Sequence, residues 1–404
     1  MTTSRLSDCL RAGDHIVIGQ ATAEPVGLVA ELFELAPRIG TIEAFCGLSL
    51  NPAWEADVPD ALQVSTYCGL GTVRHLVACG RARVMPCSLS QLSSLIASRR
   101  LQADVVLLQV APADADGYHS LGCTLDYVWD AVQAARVVAV EVNPNLPVTR
   151  GGARLHSSRV IVARESDTPL LESPPEVPGE VQRQIARRVA QLVPDGATVQ
   201  LGIGGLAVAI AHALKGHRKL KIRSGMVGDW FAELLDSGAI DTESPEACLA
   251  SLAVGSRSLY QSLSRDGILG FAAPSQLVVP IAGSPLMAIN SAIEVDLSGQ
   301  VNAEILGQRY VGAVGGQTDY FRAARRSDGG LAIVALPAST AGDAKSRIVA
   351  RCTHVTSPQS DVDIIVTEHG VADIRATTLH ERKLMLAELA HARHRDKLIE
   401  STSQ

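Results

Sequence analysis

The feature that most constrains the fold of this chain is an internal repeat with a spacing of 183 residues. Residues 10–32 read as a helix end, an acidic and glycine-containing turn, a short apolar strand, Gly19 and an amphipathic helix, and residues 192–214 repeat this order around Gly202. Strand-like apolar runs alternate with helical patterns along most of the chain, which is typical of α/β folds with largely parallel sheets. The sequence therefore predicts two similar open α/β domains that pack face to face, with a site in the crevice between them.

A single proline-rich stretch, residues 167–178, separates the two copies of the repeat. Such a composition is typical of a connector between domains. We therefore place the domain boundary near residue 180, which predicts an N-terminal domain of residues 1–180 and a C-terminal domain of residues 181–404.

Composition and charge exclude several classes of function. Of the 404 residues 47% are hydrophobic, which is enough to form large buried cores. The chain has 36 Lys+Arg against 42 Asp+Glu, a net charge of −6, and only 3% aromatic residues, which argues against nucleic acid as a partner. The longest apolar runs, such as residues 105–108 and 136–142, are of strand length, so no membrane partner is predicted.

The N-terminal residues and the cysteines both point to the cytoplasm. The chain starts without the apolar stretch of a signal peptide, and its eight cysteines are scattered without a CxxC pair, which predicts free thiols in a reducing compartment. His391 and His394 share a face of a predicted C-terminal helix, but no third ligand lies nearby in the sequence. No metal site is therefore predicted.

Two glycine clusters are candidate ligand-binding turns. Gly202-Ile-Gly-Gly-Leu-Ala207 lies between a predicted strand and a predicted helix, where backbone N–H groups can bind a phosphate or an oxyanion. A nicotinamide dinucleotide is not favoured, because the next predicted strand, residues 219–223, does not end in an acidic residue. A thioester-carbonyl site and a tight turn without a ligand both stay open. The adjacent Gly315 and Gly316 indicate either a close approach of the backbone to a ligand or a flexible hairpin.

Polar side chains in two other segments are candidates for acid–base chemistry. Glu294 and Asp296 fall on one face of the strand pattern of residues 289–302, where they either transfer protons or are held structurally. His119 lies in the polar loop of residues 114–122, which follows a predicted strand, and such loops bind ligands in α/β proteins. An ordinary loop histidine is the alternative.

These motifs together resemble the acetyl-CoA hydrolase/transferase family, which includes 4-hydroxybutyrate, succinate and acetate CoA-transferases. The similarity runs in unbroken order over roughly residues 5–398 and implies two similar α/β domains with the active site between them. The residues that carry it are Gly117-Tyr-His-Ser-Leu-Gly122, Glu141-Val-Asn143 with Pro147, Gln200-Leu-Gly-Ile-Gly-Gly205, residues 289–302, Gly315-Gly-Gln-Thr-Asp-Tyr-Phe321, Ser346-Arg-Ile348 and Thr367-Glu-His-Gly370.

In that family a glutamate on the strand after the glycine turn attacks the acyl-CoA, forming an acyl-glutamyl anhydride and then a glutamyl-CoA thioester. By resemblance, the position of this glutamate is Gly225, within Arg223-Ser-Gly-Met226, and no residue within two positions is a carboxylate. Glycine has no side chain that could form the covalent intermediate. The resemblance therefore implies a CoA-transferase-type enzyme without the nucleophile of its family.

The resemblance also implies the remaining parts of the site and the oligomeric state. The backbone N–H groups of Ile203 and of the turn at residues 315–316 resemble the oxyanion hole of the family, which polarises the thioester carbonyl. His369 stands where the family usually has tyrosine, and homodimers are expected. The residues expected to contact CoA, which is bound as a substrate, are Gly204, Gly205, Gly315, Gly316 and Gln317.

Three functions stay open at this point. The first is an acyl-CoA enzyme that hydrolyses the thioester or transfers the acyl group directly, with Ser224, His369, Glu294 or Cys123 as candidates to assist. The second is a true acyl-CoA:carboxylate CoA-transferase whose carboxylate is Glu24 or Glu294. The third is a non-catalytic acyl-CoA-binding protein. The acyl group and the acceptor are left open.

Overall fold

The computed structural model describes residues 4–244 and 247–400, which form two compact units. Each unit gathers three separate stretches of chain. The first unit is Met1–Pro174, Leu249–Gln276 and Arg309–Gly315, and the second is Pro175–Cys248, Leu277–Gln308 and Gly316–Gln404. The first junction lies close to the boundary placed near residue 180, but the two later stretches of the first unit fall inside the predicted C-terminal domain. The two later stretches belong to the first unit because they contact residues that are far away in sequence, and local composition cannot predict such contacts.

The secondary structure alternates between strands and helices in both units. Within the described residues, the strands in chain order are β1 His15–Ile18, β2 Ile42–Cys46, β3 Leu62–Thr66, β4 Ala82–Val84, β5 Val105–Val110, β6 Tyr118–Ser120, β7 Val137–Val142, β8 Arg150–Gly151, β9 Arg154–His156, β10 Val162–Glu165, β11 Thr198–Gln200, β12 Lys221–Val227, β13 Cys248–Ala253, β14 Leu269–Phe271, β15 Leu286–Ser291, β16 Glu294–Asp296, β17 Val301–Asn302, β18 Ile305–Leu306, β19 Arg309–Tyr310, β20 Leu331–Ala335, β21 Ile348–Val349, β22 Ile364–Thr367 and β23 Gly370–Asp373.

The helices cover the faces of the sheets. Over the same described residues they are α1 Leu6–Cys9, α2 Val26–Ile39, α3 Arg74–Ala78, α4 Leu89–Ala97, α5 Tyr127–Ala134, α6 Glu180–Ala190, α7 Gly205–Leu214, α8 Trp230–Asp236, α9 Arg257–Asp266, α10 Pro274–Leu277, α11 Gln317–Arg326, α12 Leu379–Glu388 and α13 Ala392–Glu400.

The first unit contains a seven-stranded sheet in the order β10-β7-β5-β1-β2-β3-β4, in which every pair is parallel. Every residue of β5 and of β7 is buried. These strands are the continuous apolar runs of the sequence, and such runs are typical of parallel strands covered on both faces. Helix α2 packs on the sheet through Leu28, Val29, Leu32 and Ala36, which recur at helical spacing.

Six strands of the second unit are hydrogen-bonded in the order β23-β22-β20-β15-β11-β12. All neighbours are parallel except β22 and β23. Strand β11, helix α7 and the adjacent strand β12 repeat the arrangement of β1, α2 and β2, so the internal repeat corresponds to one strand–helix–strand unit in each sheet. The prediction of an α/β fold with parallel sheets is confirmed.

The strand predicted over residues 289–302 is divided into three in the structure, β15, β16 and β17. The chain turns back after β16 because Asp296 Oδ1 accepts hydrogen bonds from the N–H groups of Ser298 and Gln300, and Gly299 adopts a left-handed conformation with φ +95°. Strand β16 then pairs antiparallel with β17 and parallel with β21 in a small separate sheet.

Three further features concern the chain as a whole. The eight cysteines all lie in the described residues, and none of them forms a disulfide. Among the described residues, no helix combines the length and the apolar character that crossing a bilayer requires. Within those residues, His, Cys, Asp and Glu side chains form no group of three or more that could hold a metal ion.

Candidate active site

The glycine turn at the start of α7 is built so that only glycine fits at two of its positions. Gly204 has φ +95°, in the left-handed region that disfavours side chains. A Cβ atom on Gly205 would lie 2.8 Å from Nε2 of Gln182 and 2.9 Å from Oε2 of Glu176. The turn therefore depends on glycine for its conformation at one position and for a close approach at the next.

A carboxylate of the chain itself lies at this turn. The Gly205 N–H donates a hydrogen bond to Oε2 of Glu176 at 3.1 Å. Glu176 belongs to the proline-rich connector and is exposed. A negative charge is stabilised at a helix N-terminus by the unpaired N–H groups and the helix dipole. The turn thus accommodates an anion. The sequence analysis missed Glu176 because no local pattern relates it to a turn 29 residues away.

Gly225 lies next to this turn on the neighbouring strand. In the parallel pairing of β11 with β12, Thr198 is opposite Lys221 and Val199 is opposite Ile222. Beyond this pairing, the hydroxyl of Ser224 donates to the Leu201 oxygen, which keeps the segment at Gly225 close to the start of the glycine turn. Gly225 is half-buried. The position that the resemblance assigns to the nucleophile is therefore at the carboxyl edge of the sheet, beside the glycine turn.

Ser224 connects β12 to the turn. Its hydroxyl is fully buried and donates to the carbonyl oxygens of Leu201 and Met226, the latter at 2.9 Å. Trp230 fixes the same turn, because its indole N–H donates to the Gly202 oxygen at 3.0 Å. A hydroxyl whose proton is shared by two backbone carbonyls is poorly placed to attack a substrate, so this geometry favours a structural role for Ser224.

The second glycine cluster forms the start of a helix, where the sequence had also left a hairpin open. Gly316 is the residue before α11, and Gln317 is its first residue. The Gln317 side-chain amide donates to the Ser291 oxygen at 3.0 Å, and its oxygen accepts from the Ser357 hydroxyl at 2.8 Å. These bonds hold the N-terminus of α11 at the carboxyl end of β15, the strand beside β11. Gly315 belongs to the first unit, has φ +55° and would meet nothing within 4 Å if it carried a Cβ.

The two acidic residues of β16 have different surroundings. Asp296 is buried and also accepts hydrogen bonds from the Ser298 hydroxyl at 2.7 Å and from the Cys352 N–H at 3.1 Å. Glu294 is half-buried, and its Oε1 accepts from Nδ2 of Asn302 at 3.0 Å. The structure thus favours a structural role for Asp296, whereas Glu294 retains partial exposure.

His369 lies at the far end of the same sheet. It is in the turn between β22 and β23, with its Nε2 3.7 Å from Oε1 of Glu368 and its ring centroid 5.6 Å from that of His391. His391 in turn has its Nε2 3.5 Å from Oδ2 of Asp343. Because β22 is four strands from β12 in the sheet order, His369 lies about 19 Å along the edge from Gly225. This separation does not favour a direct role for His369 at that position.

Glu24 lies in the first unit, in the copy of the repeat that contains β1. It is 1% exposed and accepts hydrogen bonds from the Ser49 hydroxyl at 2.6 Å, the Asn51 amide at 2.9 Å and the Trp54 indole at 2.7 Å. Burial raises the pKa of Glu24 to about 7, although these three donors oppose the shift. A carboxyl group held by three donors in the core is poorly placed to attack a substrate.

Two further candidates in the first unit are also buried. Burial raises the pKa of the Cys123 thiol well above its usual range, which keeps the thiol protonated and unreactive. The Nδ1 atom of His119 is 2.8 Å from the Ala111 oxygen, and its Nε2 is 3.2 Å from the Ser157 hydroxyl. Both nitrogens have partners within the chain, which favours the loop-histidine interpretation.

Comparison with known proteins identifies the family of this chain. The N-terminal domain of the acetyl-CoA hydrolase/transferase family matches residues 1–169, and the C-terminal domain of that family matches residues 255–402. The chain belongs to the acetyl-CoA hydrolase/transferase family. The resemblance stated from the sequence is thereby confirmed.

Several members of the acetyl-CoA hydrolase/transferase family are similar to the chain over most of its length. The 4-hydroxybutyrate coenzyme A transferase of Clostridium kluyveri is 36% identical over 340 residues, which cover 81% of this chain and 79% of that protein. The succinyl-CoA:acetate/propanoyl-CoA:succinate CoA transferase of Fasciola hepatica is 31% identical over 96% of this chain and 84% of its own length. The crystal structure of RipA from Yersinia pestis superimposes with a TM-score of 0.92 at 28% identity, covering 100% of this chain and 96% of RipA.

This family member also has a cavity of about 620 Å³ in its first unit. Pro147, Arg257 and Tyr260 line it together with Glu172, whose Oε2 accepts a hydrogen bond from the Arg257 N–H at 2.8 Å. Its volume is in the range of small-molecule sites. None of the residues that the sequence singled out for catalysis lines it, so the cavity is separate from the chemistry argued above.

Replacing Ser224 with alanine tests its role at the turn. Because two buried carbonyls would lose their donor, we expect Ser224→Ala to lower the free energy of unfolding by about 1–3 kcal/mol. The rate of thiol release from acetyl-CoA should stay within roughly threefold of wild type. Denaturant unfolding and a thiol assay measure the two effects. Ser237→Ala, which removes one half-buried bond to the Leu234 oxygen, is the control. A large fall in the rate of thiol release by Ser224→Ala, with an unchanged free energy of unfolding, would contradict the structural role of Ser224.

Proposed function

We propose that the chain is an acyl-CoA thioester enzyme that works without a covalent glutamyl intermediate. In this proposal the thioester carbonyl is polarised by backbone N–H groups at Ile203 and at the start of α11, and the attacking group comes from solution. The reaction is then hydrolysis or direct acyl transfer through a complex that holds both reactants. CoA enters and leaves as a substrate, and no metal takes part.

The observation that carries this proposal is the position of Gly225 in a family of CoA-transferases and acetyl-CoA hydrolases. Gly225 lies in β12 next to Ser224, whose hydroxyl donates to the Leu201 oxygen, and the turn that follows Leu201 leads into the helix N-terminus that accommodates the carboxylate of Glu176. Backbone donors of this kind are worth about 10²–10³ in rate when they stabilise an oxyanion, which is why a site without a nucleophile can retain useful chemistry.

A CoA-transferase that uses another carboxylate is the second candidate. Glu294 is the better of the two alternatives, because it is half-buried with one donor from Asn302, whereas Glu24 is enclosed in the core by three donors. In that case an acyl-CoA would leave CoA covalently attached to the carboxyl group of Glu294.

Intact-protein mass spectrometry with simultaneous thiol measurement separates these functions. We expect acetyl-CoA, butyryl-CoA or succinyl-CoA to release free CoA while the mass of the protein stays unchanged, because attack occurs without an enzyme adduct. Initial rates measured at several concentrations of both reactants should give intersecting double-reciprocal lines. Glu294→Gln is the matched variant, and it should release thiol at the wild-type rate.

Two other results would contradict the proposal. An increase near the mass of CoA that disappears in Glu294→Gln would show that the chain is a transferase with Glu294 as its nucleophile. A thermal shift with acyl-CoA but no thiol release with any of the three thioesters would show a binding protein without catalytic activity.

A further inference from the structure

A further cavity, of about 260 Å³, lies in the first unit on the face of the seven-stranded sheet opposite to α2. Ile16 and Ala44 pack with α2 in the core, so their neighbours His15 and Glu43 project from the other face of the sheet. The loop between α4 and β5 forms the opposite wall. The lining includes His15, Glu43, Arg99, Arg100 and Gln102. No residue of the candidate active site lines this cavity.

Two adjacent arginines of this cavity have no counter-ion. Among the residues that the structure describes, the guanidinium groups of Arg99 and Arg100 form no ion pair and no hydrogen bond. Both side chains line the cavity and are also open to solvent. Two neighbouring positive charges repel each other, so an anion that binds between them is stabilised by both.

The carboxylates on this side of the sheet are already paired with other cations. Glu43 forms an ion pair with Arg83. Oδ2 of Asp104 lies 3.3 Å from Nδ1 of His15 and accepts the His15 backbone N–H at 2.9 Å. The acidic groups therefore have partners of their own, and the two arginines remain available to a ligand.

The backbone holds Arg99 in a conformation that favours glycine. Arg99 has φ +57° and directly follows Ser98, the C-cap residue of α4. Its N–H donates to the Ile96 oxygen at 2.9 Å, and the Arg100 N–H donates to the Leu95 oxygen at 2.9 Å, which are the two bonds of a Schellman motif. Glycine is the usual residue at this position because it has no Cβ atom. An arginine there has a steric cost, and such costs are concentrated at functional sites.

The size and the donors of the cavity suit a small phosphate-containing anion. The volume lies below the range of about 300–1,000 Å³ that is typical of sites for drug-sized ligands, so the occupant is small. Each guanidinium group presents a planar fork of N–H donors that matches the oxygens of a phosphate. The ring of His15 and the amide of Gln102 line the same cavity and supply further donors.

We propose that this cavity binds the phosphate group of a small molecule, with Arg99 and Arg100 as its cationic ligands. The two guanidinium groups donate to the phosphate oxygens, and the Schellman motif fixes the backbone that carries both of them. The site is separate from the thioester chemistry proposed above and does not depend on it. A free phosphate compound and the phosphates of CoA share this chemistry, and the experiment distinguishes the two sources.

Calorimetric titration of the full chain with inorganic phosphate and with pyrophosphate tests the site. Wild type should bind saturably at low ionic strength, and added NaCl should weaken the binding. Arg99→Gly removes the side chain but retains the Schellman motif, and it should weaken binding roughly 10- to 100-fold, the usual effect of losing a hydrogen bond between charged groups. Arg100→Ala, which does not involve the left-handed position, should have a similar effect.

The matched control is Arg74→Ala, which removes the same charge from an exposed position in α3 outside the cavity. It should bind phosphate as wild type does. Equal affinities of wild type, Arg99→Gly and Arg100→Ala would overturn the proposal, and so would the absence of saturable binding to wild type. An equal loss of affinity in Arg74→Ala would also overturn it, because the binding would then follow net charge alone.

CoA as a second titrant identifies the source of the phosphate. If CoA displaces pyrophosphate and its own affinity falls in Arg99→Gly, the phosphates of CoA occupy the cavity. If CoA and pyrophosphate bind together, and only pyrophosphate is sensitive to Arg99→Gly, the cavity takes a separate small phosphate compound. Both results support the phosphate site, and neither requires that the chain turn over acyl-CoA.

Discussion

Gly225→Glu is expected to give the chain a covalent route for CoA transfer. Gly225 lies inside β12, where extended backbone accepts any residue, and it is half-buried at the carboxyl edge of the sheet. A glutamate there would project from the same face of β12 as Arg223, at the position that the resemblance assigns to the nucleophile of the family. We expect acyl-CoA to leave CoA attached to residue 225, and exchange of CoA between acetyl-CoA and butyrate to rise roughly tenfold or more.

The matched control for this substitution is Gly225→Gln. Glutamine is nearly the same size as glutamate but cannot form an anhydride or a thioester, so it should give no adduct and no gain in CoA exchange. Intact mass after acyl-CoA treatment, with peptide mapping of the adduct, makes the comparison. A folded Gly225→Glu variant without adduct and without exchange would show that the resemblance places the nucleophile at the wrong residue.

Glu24→Gln is expected to remove a pH dependence of stability. The pKa of Glu24 is raised from its usual 4.5 to about 7 by burial. Well below pH 4.5 the carboxyl group is protonated in both the folded and the unfolded chain. The free energy of unfolding is then not reduced by the cost of burying a charged Glu24. As the pH rises, the unfolded chain loses this proton first, and the folded chain is destabilised by about 3 kcal/mol by the time the pH has passed 7.

The substitution isolates this effect because glutamine resembles the protonated carboxyl group. Its Oε1 can still accept from Asn51 and Trp54, and its amide can donate to the Ser49 hydroxyl. Denaturant unfolding of both proteins between pH 4.5 and 8 should show the variant gaining about 3 kcal/mol relative to wild type across that range. Glu55→Gln, at an exposed carboxyl group of the same region, should follow wild type. Parallel curves for Glu24→Gln and wild type would refute the raised pKa.

Local sequence patterns predicted those parts of the fold that depend on burial and chain reversal. The apolar runs that became β5 and β7 are buried at every residue, and period and composition are enough to recognise such strands. The two glycine clusters both lie directly before a helix, α7 and α11, and their binding of a ligand stays a prediction. Gly204 has φ +95° and Gly315 has φ +55°, both in the left-handed region that favours glycine.

Contacts between distant residues account for what the sequence could not predict. Nothing in the connector indicates that Glu176 reaches the N–H of Gly205, because the contact depends on the path of an irregular segment. Nothing in the sequence near Tyr320 indicates that its hydroxyl is buried without a hydrogen-bond partner among the described residues, because this depends on how α11 packs. The distance between His369 and Gly225 follows from the order of strands in the sheet, which local sequence patterns do not predict.

The division of the first unit into three stretches has a consequence for its formation during synthesis. A ribosome delivers Met1–Pro174 first, but Leu249–Gln276 and Arg309–Gly315 belong to the same unit and emerge later. At about 5–20 residues per second, the roughly 140 residues between the end of the first stretch and the end of the last take about 7–30 s to be made. The nascent first unit lacks β14 until Phe271 has been made and lacks its last stretch until Gly315 has been made, so a translation pause within this interval would leave it incomplete and open to chaperones.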